Sequence, residues 1–160
     1  RGFLKKFIKP KPGNIINNKG KTIGKHEGLS FYTLGQRQGL GIGGGHGIKE
    51  APWYVSDKII LSNELVVVQG HDHPDLYHNQ LIAKNISWVT GHPPSKNKKL
   101  TAKIRYRGKD SGCNLILDTN GILVNFDSPM FAIAPGQSVV LYENEYCIGG
   151  GIIESRSNIN

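Results

Sequence analysis

Lysine and arginine alternate with uncharged residues in the segment TAKIRYR, residues 101–107. Successive side chains of a β-strand point to opposite faces, so the pattern predicts a row of cations on one face. Such cations recur every ~6.6 Å, which suits the phosphates of a nucleic-acid backbone, to which arginine donates paired hydrogen bonds. A solvated outer face of a barrel accounts for the same spacing without a ligand, so both interpretations stay open. The alternation predicts one face with Lys103, Arg105 and Arg107 and an opposite face with Ala102, Ile104 and Tyr106.

The charge distribution also indicates a polyanionic partner. The net charge is +8, and residues 1–25 hold eight cations while residues 96–109 hold seven, with no acidic residue in either range. The rest of the chain is net negative, with five cations and twelve acids. Two basic regions in an otherwise acidic chain are typical of nucleic-acid binding. Lysines that merely fill solvent-facing positions are the alternative.

Other reactive side chains have simpler explanations. His71 and His73, with His78 nearby, offer metal ligands, but Pro74 follows and the run QGHDHPDL is typical of a turn after a strand. We therefore predict a turn there and no metal site. Two cysteines, Cys113 and Cys147, lie in strand-like segments without a nearby base or a C-x-x-C spacing. We predict that both are buried apolar residues in a reducing compartment.

The glycine-rich segment YTLGQRQGLGIGG, residues 32–44, looks at first like a phosphate-binding loop. A nucleotide loop opens a helix, however, whereas Pro52 and the β-favouring residues after it predict a strand. No Gly-Lys-Ser/Thr sequence is present either. We therefore expect these glycines to permit a crowded turn rather than to bind a nucleotide.

Short β-favouring runs separated by Gly, Asn, Asp and Pro extend from residue 13 to the end of the chain. They predict a mainly β protein with a small β domain at residues 1–82, a joint near Gln80–Ala83, and a closed β-barrel at residues 83–160. A basic amphipathic segment, residues 1–9, predicts a short N-terminal helix that Pro10 and Pro12 end. No apolar run reaches the ~20 residues of a membrane helix and no signal peptide is evident, so we expect a cytoplasmic protein.

Six segments resemble one known family in their order and spacing. They are YTLGQRQGLGIGG, PWYV at 52–55, QGHDHPDLY at 69–77, KIRYRGKDSGC at 103–113, APGQSVVLY at 134–142 and CIGGGII at 147–153. The chain closely resembles bacterial tRNA-specific 2-thiouridylases, the MnmA family, but only their central and C-terminal parts. The resemblance implies a tRNA-uridine 2-sulfurtransferase that replaces oxygen with sulfur at C2 of the wobble uridine. In that family ATP adenylates the base and a cysteine persulfide delivers the sulfur.

The resemblance also implies which parts this chain lacks. Arg1 looks like the last residue of the family's C-F-I-G-x-R motif, so both catalytic cysteines and the ATP-binding pyrophosphatase domain are expected upstream of it. The chain alone is then expected to bind no cofactor and to be inactive. By resemblance, Arg105, Tyr106 and Gln137 match tRNA-contacting residues, and Lys103 and Arg107 are weaker additions. Expected partners are tRNA and a sulfur-relay carrier protein, not DNA or a membrane. The alternative is a stand-alone β-barrel RNA-binding or translation-factor-like module.

Overall fold

The computed structural model describes residues 9–43, 51–95, 98–106 and 108–159. The predicted helical segment 1–9 lies outside these residues except for Lys9, and Arg107 also lies outside them. The chain divides into two compact units, the first ending at Leu76 and the second beginning at Tyr77. Both are built from strands, which confirms the predicted mainly β fold. The predicted joint at Gln80–Ala83 lies inside a strand of the second unit.

The first unit is a four-stranded sheet with the strand order β2-β1-β4-β3. Its strands are β1 (Gly13–Asn17), β2 (Thr22–His26), β3 (Trp53–Ile59) and β4 (Glu64–Gln69). Two antiparallel hairpins, β1–β2 and β3–β4, join through the parallel pair β1–β4. Ile15, Val55, Leu65 and Val67 are fully buried and form the centre of its core.

The glycine-rich segment runs along the edge strand β3. The Gly35 N–H donates to the Val55 carbonyl at 2.7 Å, and the Val55 N–H donates to the Gln36 carbonyl at 3.0 Å. The Gln36 side chain accepts from the Thr33 N–H at 3.0 Å and donates to the Gln38 carbonyl at 2.8 Å. This pairing covers an edge that would otherwise expose unpaired backbone groups. The strand predicted after the glycines is confirmed, since β3 begins at Trp53.

The second unit is a closed six-stranded barrel with the strand order β10-β5-β8-β7-β6-β9, as predicted. Its strands are β5 (Tyr77–Trp88), β6 (Leu100–Lys103), β7 (Ser111–Asp118), β8 (Gly121–Phe131), β9 (Ser138–Glu143) and β10 (Tyr146–Ser157). Every neighbouring pair is antiparallel. Inward-facing aliphatic side chains such as Leu81, Val124, Val139 and Leu141 fill its interior.

Glycines in β10 permit the barrel to close. A Cβ atom on Gly150 would collide with the Val139 carbonyl oxygen of β9, and one on Gly151 would lie only 2.7 Å from the Lys84 carbonyl oxygen of β5. Both neighbours of β10 therefore approach its backbone more closely than any side chain allows.

The histidine-containing run after β4 is a turn, which confirms the prediction. A short 3-10 turn spans Pro74–Leu76, and the Asp75 N–H donates to Nδ1 of His73 at 3.2 Å. Leu76 is fully buried and ends the first unit. Among the described residues, no helix is long and apolar enough to cross a membrane.

Candidate nucleic-acid interface

The predicted cation ladder begins on β6 but continues beyond it. β6 pairs with β9, where Lys103 lies opposite Val140, and it ends at Lys103 rather than at residue 107. Ala102 and Ile104 are buried, as the alternation predicts. Tyr106 is 95% exposed, so its predicted place on their face is wrong. The chain bends and turns after Lys103, and the two-residue alternation of a strand no longer holds there.

Four of the five predicted tRNA-binding residues line a single groove of about 540 Å³ on the barrel. They are Lys103, Arg105, Tyr106 and Gln137, while Arg107 lies outside the described residues. The other lining residues are Ile104, Gly136, Ser138, Val140 and Tyr142. None of these described residues is acidic, so the groove presents two cations and no opposing carboxylate.

Arg105 is held in one direction by two neighbours. Its Nη2 atom donates to the Ala132 carbonyl at 3.2 Å, and its guanidinium carbon lies 5.8 Å from the centre of the Phe131 ring. A cation at this distance from an aromatic ring is attracted by the electrons of the ring. Partial burial lowers the pKa of Arg105, because less water surrounds the charged form. A guanidinium that has lost part of its hydration is well suited to receive a phosphate.

Gln137 stands at the end of a rigid turn. The Gln137 N–H donates to the Ala134 carbonyl at 3.2 Å, across Pro135 and Gly136, and Gly136 has a φ of 85°. Proline at the second position and a positive φ at the third are typical of a type II turn, which favours glycine at the third position. Two bonds of 2.8 Å, from the Gly136 N–H to the Ile153 carbonyl and from the Ile153 N–H to the Gln137 carbonyl, fix the turn to β10.

The remaining two predicted residues contribute a charge and an aromatic ring. The Lys103 Nζ atom lies 5.2 Å from the centre of the Tyr142 ring, which directs the ammonium group along the groove. Tyr106 extends into solvent and presents its ring for stacking. Sequence reasoning missed Phe131 and Tyr142, because no spacing along the chain links them to the cations that they orient. Only the pairing of strands across the barrel creates these contacts.

Comparison with known proteins follows the same division of the chain. Residues 1–69 match the family model described as "tRNA methyl transferase PRC-barrel domain", and residues 78–153 match "Aminomethyltransferase beta-barrel domain". The chain is 50% identical over 157 residues to the tRNA-specific 2-thiouridylase MnmA of Hydrogenovibrio crunogenus. It is 50% identical over 152 residues to the protein of that name from Pseudomonas fluorescens, and 48% over 153 residues to that of Hahella chejuensis.

The chain belongs to the MnmA family. The three alignments cover 98%, 95% and 96% of this chain but only 41%, 40% and 42% of the respective relatives. The chain therefore spans about two fifths of the length of the MnmA proteins that it matches.

The two cysteines of the chain have different environments. Cys113 is buried, as predicted, and burial together with the negative charge of Asp127 raises the pKa of its thiol to about 12. Cys147 is exposed, so the prediction that it is buried is wrong. It pairs with Tyr142, whose side chain lines the outer groove, and a register shift separates it from Gly149. Residues directly opposite in an antiparallel pair share a face, so Cys147 points outward.

The histidines of the turn after β4 contact their own neighbours. Nδ1 of His71 lies 3.3 Å from Asp72 Oδ1, and Nε2 of His73 lies 3.3 Å from Asn18 Nδ2. Within the described ranges, no three His, Cys, Asp or Glu side chains are grouped as metal ligands. The histidine run therefore gives no support to the metal-binding alternative.

Proposed function

We propose that this chain is the tRNA-binding part of a tRNA-specific 2-thiouridylase, which installs 2-thiouridine at the wobble uridine with ATP and a cysteine persulfide. The observation that carries the proposal is the single groove in which Lys103, Arg105, Tyr106 and Gln137 come together. The sequence separates Gln137 from the other three by about thirty residues, and the barrel unites them. The relatives are tRNA-specific 2-thiouridylases, which supplies the substrate class.

Each groove residue has a distinct contact to offer RNA. Arg105 donates paired hydrogen bonds to a phosphate, and Lys103 adds a mobile point charge. Tyr106 stacks on an exposed base or on a ribose, and the Gln137 amide bonds to a 2′-hydroxyl or to a base edge. Contacts of this kind hold RNA by its shape and backbone.

Binding energy from such a groove supports chemistry that takes place elsewhere. An enzyme that modifies an anticodon base must unstack it, which costs a few kcal/mol. Contacts remote from the reacting base offset that cost. We assign the ATP site, both catalytic cysteines and the docking of the sulfur-relay carrier to the part of the MnmA relatives that this chain does not match. We therefore expect no thiolation by this chain alone and expect the full-length enzyme to act in the cytoplasm.

Salt-dependent binding tests this proposal. Affinity of the chain for a wobble-uridine tRNA is measured from low to physiological salt, with wild type and Arg105→Ala in parallel. We expect log K to fall linearly with log salt, with a slope about 0.7–0.9 shallower in the variant, because one phosphate contact is lost. Arg156→Ala is the matched control, since Arg156 donates to the adjacent Ile133 carbonyl at 3.2 Å but does not line the groove.

Two outcomes contradict the proposal. An unchanged slope in Arg105→Ala would show that Arg105 neutralises no phosphate. An equal decrease of the salt slope in Arg105→Ala and Arg156→Ala would show that both arginines affect binding only by holding the backbone of residues 132–133 in place. Equal affinity for a tRNA and for an unrelated RNA hairpin would instead favour the stand-alone RNA-binding module.

A further inference from the structure

A second cavity of the barrel unit, of about 500 Å³, adjoins the groove. Ile104 and Arg105 line both cavities. The other walls of the second cavity come from residues 108–111 and from Met130 and Phe131 at the end of β8. We call this cavity the Met130 pocket. A ligand that occupies the pocket and the groove together would contact Arg105 from both.

Met130 and Phe131 form an apolar wall that the barrel holds in place. Both side chains are half-buried, so each keeps part of its surface accessible, and Met130 packs against the core. The Phe131 ring makes an edge contact with the Tyr77 ring on the paired strand β5, with 5.5 Å between the ring centres. The Arg105 guanidinium carbon lies 5.8 Å from the centre of the same ring. The pocket therefore offers a preformed surface of a ring, a thioether and a guanidinium, and a flat aromatic ligand packs well against such groups.

The opposite wall of the pocket is polar and carries both donors and an acceptor. Lys109 and Asp110 are exposed, and Ser111 is half-buried at the start of β7. The Gly108 N–H donates to the Arg105 carbonyl at 3.0 Å, which holds this wall beside Arg105. The lysine and the serine can donate hydrogen bonds, whereas the aspartate accepts them. Asp110 also distinguishes the pocket from the groove, because no described residue of the groove is acidic.

We propose that the Met130 pocket binds an unpaired nucleobase of the RNA whose phosphate Arg105 contacts in the groove. A nucleobase has an apolar face for the Met130 and Phe131 wall and an edge with both donors and acceptors for the polar wall. A phosphate has acceptors only and no apolar face, so it matches the groove better than the pocket. The inference rests on the proposed function, because it takes the base and the phosphate from one RNA.

The single methionine of the chain makes the test direct. Met130 is the only methionine, so a chain labelled with methyl-13C methionine gives one methyl signal that needs no assignment. The 5′-monophosphates of uridine, cytidine, adenosine and guanosine are titrated separately at constant ionic strength. Ribose 5-phosphate is the reference, since it carries the sugar and the phosphate without a base. We expect a saturable ring-current shift of the Met130 signal with the nucleotides and no shift with ribose 5-phosphate.

Two variants and one contact measurement sharpen the test. Phe131→Leu should weaken nucleotide binding about fivefold, the effect of one lost stacking contact. Tyr146→Leu is the matched control, because Tyr146 is an exposed aromatic residue of the barrel that does not line the pocket. It should leave the response unchanged. A nuclear Overhauser contact between the Met130 methyl group and base protons is measured in the wild-type chain, so the test holds even where Phe131→Leu does not fold.

Three results would overturn the inference. They are a Met130 signal that no nucleotide moves, an equal response to ribose 5-phosphate, and a wild-type complex without contacts between the methyl group and base protons. The salt series of the proposed function is independent of these measurements. A shallower tRNA salt slope in Arg105→Ala together with a silent Met130 signal would therefore reject the base pocket and leave the proposed function standing.

Discussion

Arg105 has a structural contact beside the binding role that we propose for it. Arg105 and Arg156 donate to the consecutive carbonyls of Ala132 and Ile133, both at 3.2 Å. Ala132 is buried and has a φ of 52°, a left-handed conformation that costs about 1–2 kcal/mol for a residue with a side chain. The two arginines offset part of that strain and stabilise the segment that leads into the Gln137 turn.

The first prediction separates the two roles of Arg105. Arg105→Lys keeps the positive charge but loses the fixed hydrogen bond to Ala132, so we expect a salt slope close to that of wild type. Its free energy of unfolding should nevertheless fall by about 1 kcal/mol, as in Arg105→Ala. Urea unfolding and the tRNA salt series measure the two effects. A lysine variant with wild-type stability would show that the carbonyl contact contributes nothing.

The second prediction concerns the reactivity of the two thiols. Cys147 is exposed, whereas the thiol of Cys113 is buried and stays protonated up to a pKa of about 12. The thiolate is the reactive form, so we expect a thiol reagent at pH 8 to modify Cys147 only. Quantitative labelling should count one thiol in the native chain and two in denaturant. Cys147→Ser should remove the native signal, and rapid labelling of that variant would contradict the buried position of Cys113.

The third prediction follows from the same pKa. The unfolded thiol of Cys113 has a pKa near 9.0, and folding raises it to about 12. Between these values the unfolded chain releases a proton that the folded chain retains, so alkaline pH favours unfolding. Stability should be unaffected by this group below pH 9 and should fall above it, by up to about 1.4 kcal/mol per pH unit. Urea unfolding of wild type and Cys113→Ala at pH 8 and pH 10.5 isolates the effect, because only wild type contains this thiol. Parallel losses in the two proteins would contradict it.

At the scale of elements, two positions in the barrel unit require glycine for different structural reasons. Gly136 has a φ of 85°, and a Cβ atom there would meet nothing within 4 Å. Its turn therefore needs glycine for the positive φ and not for lack of space. Gly150 lacks a positive φ, but its backbone lies against the Val139 carbonyl. Its strand therefore needs glycine because no space is left for a side chain.

The fourth prediction contrasts these two positions. Gly136→Ala should cost about 1–2 kcal/mol of backbone strain, weaken tRNA binding by moving Gln137, and be partly rescued by Gly136→Asn, since asparagine tolerates a positive φ. Gly150→Ala should lower the free energy of unfolding by about 3 kcal/mol, because β9 and β10 must separate. Thermal unfolding and tRNA affinity distinguish the two. Wild-type stability of Gly150→Ala would contradict the close approach of these strands.

At the scale of the whole molecule, the chain is two units with separate cores. The barrel closes through the pairing of β5 with β10, which joins Gln80 to Ser157 and Trp88 to Gly149. Polar contacts reinforce the same seam, as the Ser157 hydroxyl donates to Gln80 Oε1 at 2.6 Å. These contacts lie entirely within residues 77–160.

The fifth prediction is that residues 77–160 fold alone. A single closed core should give one cooperative unfolding transition, and the fragment should retain the salt-dependent tRNA binding of the groove. Circular dichroism during heating and the binding series test both properties, with Arg105→Ala in the fragment as the control. A fragment that folds but shows no salt-dependent binding would contradict the location of the tRNA site on the barrel.

The sequence by itself determined the fold class and the closed second domain. The alternation of apolar residues and the positions of turn residues reflect local backbone geometry. They can therefore be recognised in the sequence without any knowledge of tertiary contacts. The alternating cations predicted Lys103 and Arg105 as nucleic-acid-binding residues, and the family resemblance added Gln137; all three line the groove.

Only the tertiary structure decided which of these side chains meet. The exposure of Tyr106 and Cys147 depends on where β6 ends and where β10 shifts register, which no periodicity encodes. Phe131 and Tyr142 contact the cations Arg105 and Lys103 from other strands. Contacts between residues distant in sequence arise only when strands pair across the barrel or a loop packs on a sheet, and local patterns do not specify them.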